Sequence, residues 1–122
     1  MIGYVTIGVA DMDKAKAFYG ALLEDLGAAV ALDIGRFAAF ANAAGGPMLA
    51  VVTPYNDEAP APGNGNMVAL AAGSTEMVDK LYAKAISLGA TDEGEPGERM
   101  PGFYGSYFRD LDGNKMCFFH MG

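Results

Sequence analysis

Apolar residues alternate with small or polar ones in YVTIGVA near the start of the chain, then recur every three or four places through DMDKAKAFYGALLEDLGA. The first period is that of a strand and the second that of a helix. Asp11 stands ahead of the helical run as its N-cap, since a carboxylate there accepts the free N–H groups of the first turn, and Gly27 stops the run. Ala15, Phe18, Leu22 and Leu26 make the apolar face. The same succession returns in MVALAAG and STEMVDKLYAKAISLGA, with Ser74 as cap, Gly89 as stop, and Val78, Leu81, Ala85 and Leu88 on one face.

A shift of 63 positions pairs Val5 with Val68, Ile7 with Leu70, Asp11 with Ser74, Phe18 with Leu81 and Tyr19 with Tyr82. Further along, a shift of 67 pairs Gly46 with Gly113 and Leu49 with Met116. Each half therefore reads as strand, helix, then three strands, the last two joined by turns at 43–46 and 110–114. The proline-rich PYNDEAPAPGNGN connects the halves. Neither half can bury its sheet face alone, so the expectation is one α+β domain over residues 1–122. It comprises a module at 1–53, a linker at 54–66 and a module at 67–122. Two βαβββ modules would form a cup-shaped mixed sheet with the helices on its outer face.

Strand parity sorts the side chains. Val5, Ile7 and Val9 suit the helix side, leaving Tyr4, Thr6 and Gly8 for the cup, and by the repeat Met67, Ala69 and Ala71. In the last strand Met116, Phe118 and His120 share one face, and Cys117 and Phe119 the other. The only cysteine and the only histidine thus point apart, which argues against a thiolate–imidazole pair. In FYGSYFR both faces carry rings, so parity leaves open whether Tyr104 and Ser106 line the cup. Arg109 is a candidate partner for an anionic ligand if its face is the inner one. The stretch EGEPGERMPGF at 93–103 has the composition of a flap over a pocket, and equally of a plain connection.

The opening YVTIGVADMDKAKAFYGALL, the second helix with its preceding strand, and the closing YGSYFRDLDGNKMCFFH resemble the vicinal oxygen chelate superfamily, the glyoxalase, bleomycin-resistance and extradiol-dioxygenase group. RDLDGNK is similar to the family's Asp-Pro-Asp-Gly-Asn turn, with Leu111 where proline is usual. The resemblance implies paired βαβββ modules forming a cup, and a homodimer. It also implies metal-ligand positions that fall on Tyr4, Ala50, Met67 and Cys117, none of which is the usual His, Gln or Glu. A catalytic divalent ion needs roughly three oxygen or imidazole donors, so no metal and no other cofactor is expected.

Composition narrows the partners. With 52% hydrophobic and 19% charged residues the chain can build a core, and a lone cysteine leaves no internal disulfide. Eight basic against fifteen acidic residues give a net charge of −7, and Lys and Arg form no stripe, so neither nucleic acid nor an anionic membrane surface is an expected partner. No apolar run reaches the ~20 residues of a bilayer span, and no export pattern opens the sequence, which points to the cytoplasm. Thr6, Gly8, Ala50, Ala69 and Ala71 leave room on the inner faces, and eight methionines and several rings offer adaptable walls.

The leading reading is a protein that binds a small, partly apolar molecule in a metal-free cup. Its candidate contacts are Tyr4, Thr6, Ala50, Met67, Ala69, Cys117, Tyr104, Ser106 and Arg109. Two alternatives stand beside it: a metal-dependent lyase, isomerase or dioxygenase of the same superfamily, and a non-catalytic structural or regulatory domain whose cup is filled by its own side chains. Cys117 would need a nearby cation to react at neutral pH, and the sequence makes none evident.

Overall fold

A computed structural model describes residues 1–122. The chain divides into two compact units, Met1–Pro62 and Gly63–Gly122. The first runs β1 (Tyr4–Gly8), α1 (Met12–Leu22) with a short 3₁₀ helix Leu23–Leu26, β2 (Ala28–Asp33), β3 (Phe37–Asn42) and β4 (Met48–Val52). The second runs β5 (Val68–Ala71), α2 (Thr75–Ser87), β6 (Thr91–Met100), β7 (Phe103–Arg109) and β8 (Lys115–Met121). The fold is α+β, built from two βαβββ modules, and its strands form two four-stranded mixed sheets. Their orders are β1-β4-β3-β2 and β5-β8-β7-β6, with β1 parallel to β4 and β5 parallel to β8.

The repeat extends to register. Thr6 lies opposite Ala50, and Ala69 opposite Cys117, the positions that the two sequence offsets connect. Both helices begin where their caps dictate, and the first helical run tightens to 3₁₀ after Leu22 before it stops at Gly27. The Asp11 side chain accepts a hydrogen bond from the Lys14 backbone at 3.0 Å, and that of Ser74 one from the Met77 backbone at 3.1 Å. Gly27 and Gly89 take positive φ angles of 72° and 107°, which a side chain would resist.

In the first unit Ile7, Val9, Phe40, Leu49 and Val51 are buried, as are Ala15, Phe18, Tyr19 and Leu22 of α1. In the second, Phe108, Met116 and Phe118 are buried together with Val78, Leu81 and Ala85 of α2. Each large side chain so covered contributes about 1.5–3 kcal/mol, and Phe108 stacks on Phe118 with ring centres 5.6 Å apart.

One stretch differs from expectation. Residues 93–100, read as a possible flap, belong to the ten-residue strand β6, which pairs with β7 through three register shifts. Bulges absorb its glycines, and Pro96 is tolerated because β6 is an edge strand. Residues 54–62 belong to the first unit. Arg36 donates to the Pro54 carbonyl at 2.9 Å and pairs with Asp57 at 3.1 Å. At position 8 a Cβ would stand 3.1 Å from the Pro60 Cβ, so glycine is what lets this strap lie down. No helix is long and apolar enough to cross a membrane.

Candidate functional site

Hydrogen bonds settle the faces that parity left open. The Tyr104 hydroxyl donates to Asp79 of α2 at 2.6 Å, and the Tyr82 hydroxyl of α2 donates to Asp92 of β6 at 2.7 Å. Tyr104, Ser106 and Phe108 therefore face the helix, and Ser106 is fully buried there with no partner for its hydroxyl. Tyr104 and Ser106 drop out of the candidate lining for this reason. His120 lies opposite Tyr104 on the helix side, while Cys117 lies opposite Tyr107, so the cysteine and histidine do point apart.

The face away from α2 carries Phe103, Gly105, Tyr107 and Arg109 from β7, Lys115, Cys117 and Phe119 from β8, and Ala69 and Ala71 from β5. Phe103 and Phe119 stack with planes 5° apart. Gly105 separates two rings: a Cβ there would meet Phe103 at 3.0 Å and the Tyr107 hydroxyl at 3.6 Å. Ala69 and Ala71 are exposed, and Tyr107 and Phe119 half-buried. Small positions thus alternate with rings on this face.

Two cations stand over the Tyr107 ring. The Arg99 guanidinium carbon is 5.2 Å and the Lys115 amine 5.6 Å from its centre, both at cation–π range. Arg99 reaches back along its own strand, donating to the Glu95 carbonyl and passing Gly94 and Gly97, where a Cβ would come within 3.1 Å and 3.0 Å of the guanidinium. Neither cation makes an ion pair with a carboxylate. Arg109, the cation singled out from sequence, is on this face but committed: it pairs with Glu93 at 2.5 Å and donates to the Gly113 carbonyl at 3.1 Å.

Cys117 is fully buried in the middle of this face. Burial pushes its thiol up from the ordinary value, and the nearby Arg99, a backbone hydrogen bond at Ser106 and Lys115 oppose that shift without cancelling it. The cations that the sequence did not reveal are thus present, yet the thiol stays protonated at neutral pH. Arg99 was hidden in the stretch read as a flap. Lys115 shares parity with Cys117 and Phe119, and that signal was available.

In the first unit the face away from α1 carries Tyr4, Thr6 and Gly8 from β1, and Met48, Ala50 and Val52 from β4. Phe37 and Ala39 of β3 join them. Tyr4 is 56% exposed and Ala50 fully buried. The Tyr4 and Phe37 rings meet edge to face at 5.8 Å, and Pro54 and Pro60 cover Gly8. Strand residues on this face carry no charge. Met67 precedes β5 and is exposed.

The sequence model of the Glyoxalase/Bleomycin resistance protein/Dioxygenase superfamily matches residues 1–118. The chain belongs to that superfamily. It is similar to a glyoxalase/bleomycin resistance protein from Albidiferax ferrireducens T118, with 35% identity and a TM-score of 0.91 over 100% of this chain and 99% of the other. A superfamily enzyme from Burkholderia phytofirmans PsJN shares the fold at 19% identity and a TM-score of 0.77, covering 98% of each chain. So does lactoylglutathione lyase from Agrobacterium tumefaciens, at 22% identity and a TM-score of 0.69, covering 98% of this chain and 92% of the other. No match is found among curated proteins.

The positions that the family resemblance assigns to metal ligands offer a catalytic divalent ion a poor donor set. In the first unit they hold Tyr4 and Ala50, and an alanine offers no donor. In the second they hold Met67 and Cys117, a thioether and a protonated thiol, both weak ligands for hard cations. No group of three or more His, Cys, Asp or Glu side chains comes together. No chemical step is assigned to a metal.

Proposed function

We propose that this superfamily member binds a small, partly apolar organic molecule on the face of the second sheet that looks away from α2, without a metal. The observation that carries the reading is the alternation of small and ring positions there: Gly105 between Phe103 and Tyr107, and exposed Ala69 and Ala71 beside Cys117 and Phe119. A ring or short chain placed on that face gains contact with aromatic faces that the protein leaves half-covered. The helix side offers no such room, because α2 fills it. Of the earlier contacts, Ala69 and Cys117 remain central to this face, Arg109 sits at its edge, and Met67 precedes it.

The first sheet's corresponding face is partly occupied by its own Tyr4 and Phe37 rings and by Pro54 and Pro60. It suits a structural role, with the exposed Tyr4 and Thr6 as secondary contacts, while Ala50 is buried beneath them. Homodimer formation belongs to the same proposal and is checked by sedimentation.

The test is a titration of isotope-labelled protein with 3-phenylpropionamide and 3-phenylpropionate, followed by amide and methyl NMR. Shifts centred on Ala69, Gly105, Tyr107 and Phe119 are the expected result. Absence of any shift at millimolar ligand, or shifts confined to the first unit, would overturn the reading.

A further inference from the structure

We infer that the molecule taken up on this face is an oxyanion carrying an apolar ring or chain, its charged end held by Arg99 and Lys115 beside Tyr107. The inference rests on the binding reading above and specifies its ligand class.

The first support is charge. In a chain of net charge −7, with fifteen carboxylates available, two cations converge on one ring and neither meets a carboxylate. Cations that meet no carboxylate of their own chain can be met by an anion from outside it. Arg109 on the same face shows the alternative outcome, for it has its Glu93. The buried Cys117 thiol, protonated at neutral pH, adds no negative charge that would satisfy the pair.

The second support is construction. A surface arginine ordinarily extends into water, whereas Arg99 lies back over its own strand on a path that a Cβ at Gly94 or Gly97 would obstruct. Its hold on the Glu95 carbonyl uses part of a guanidinium with five N–H donors, and the Lys115 side-chain amine donates no hydrogen bond within the chain. Donors remain at the ring for two or three oxygens of a carboxylate or phosphate.

The third support is the layout along β8. Lys115, Cys117 and Phe119 share a face, so the cationic end and the stacked Phe103–Phe119 end are separated by four residues, about 13 Å at ~3.3 Å per residue. Tyr107, opposite Cys117 at the midpoint, brings ring surface to about 7 Å from the cationic end, two residues along the strand. An arylalkyl carboxylate or an aryl phosphate reaches that far, with charge at one end and a flat apolar ring at the other.

The experiment titrates the full chain with 3-phenylpropionate, phenyl phosphate, inorganic phosphate and neutral 3-phenylpropionamide, by calorimetry and NMR. Either aromatic anion binding at least tenfold tighter than the amide supports the inference, and the tighter of the two identifies the preferred headgroup. Arg99→Gln and Lys115→Gln should each weaken anion binding about tenfold and leave the amide unchanged; Arg99 is exposed and Lys115 half-buried, and thermal unfolding checks that each variant stays folded. Amide binding as tight as the anions, or anion affinity untouched in both variants, overturns the inference while the binding reading stands. Inorganic phosphate matching phenyl phosphate overturns the apolar half. If no probe shifts any resonance, both readings fail.

Discussion

Arg99 is held 5.2 Å from the centre of the Tyr107 ring by a route that runs over Gly94 and Gly97. The pairing is a product of what those glycines lack. Position 94 is the tighter, because a Cβ there would stand 2.9 Å from the Tyr107 ring and 3.1 Å from the guanidinium.

Gly94→Ala should therefore push the ring and the guanidinium apart and cost about 1–3 kcal/mol, the usual range for overpacking. Urea unfolding reads the loss, and the Tyr107 ring resonances report the displacement. Gly20→Ala is the matched control. It lies inside α1 with nothing within 4 Å of its would-be Cβ, so the same change should stabilise by about 0.5–1 kcal/mol. Equal effects at both positions would refute the packing account of Gly94.

Cys117 should resist alkylation. It is fully buried and burial keeps its thiol protonated, so iodoacetamide at neutral pH should modify the native chain far more slowly than the urea-unfolded one. Its reactivity should rise only above the pH at which an ordinary thiol ionises. Arg99→Gln removes an opposing charge and should slow labelling further.

Two of the six tyrosines, Tyr82 and Tyr104, should ionise late, the latter because its hydroxyl donates to Asp79. Burial, the hydrogen bond to Asp92, and the charges of Asp92 and Glu95 hold the Tyr82 phenol up to about 12 from an ordinary 10.0. Because the folded value lies above the unfolded one, the neutral phenol contributes stability that is fully present below pH 10 and lost as pH rises through about 12. Near-ultraviolet titration should show the delayed tyrosinates, and Asp92→Asn should advance that of Tyr82. A titration in which all tyrosines ionise together would count against the Tyr82–Asp92 bond.

Asp110 should be the costliest turn residue to lose. It is 5% exposed and its carboxylate accepts from the backbones of Asp112 and Asn114 at 2.9 Å and from the Asn114 side chain at 3.1 Å. Asp110→Ala leaves those donors without their acceptor and should cost about 3 kcal/mol by urea unfolding. Asp11→Ala removes a single exposed cap bond and should cost about 1 kcal/mol. A reversed ranking would contradict the burial argument.

Much of this architecture was legible because its signals are local. Asp11, Ser74, Gly27 and Gly89 mark helix ends through their own chemistry, and the repeat supplied the second half once the first was read. Parity separated Cys117 from His120 because no bulge interrupts β8 where they sit. It could not choose a face for Tyr104, since the deciding contact is with Asp79, 25 residues earlier in the chain. The cation pair was harder still. Gly94, Pro96 and Gly97 disguise β6 as a loop, and register shifts there defeat simple alternation, so Arg99 could not be assigned to Tyr107 in advance. The commitment of Arg109 to Glu93 likewise depends on β6 pairing with β7.

The shared register of the two units, Thr6 with Ala50 in one and Ala69 with Cys117 in the other, has an evolutionary corollary. An ancestral duplication would have begun with the same chemistry written twice. What remains is one inherited frame with two unlike interiors, the earlier copy bleached of charge and the later one still carrying it. Selection for a new substrate would then act on the later copy and could leave its twin as ballast.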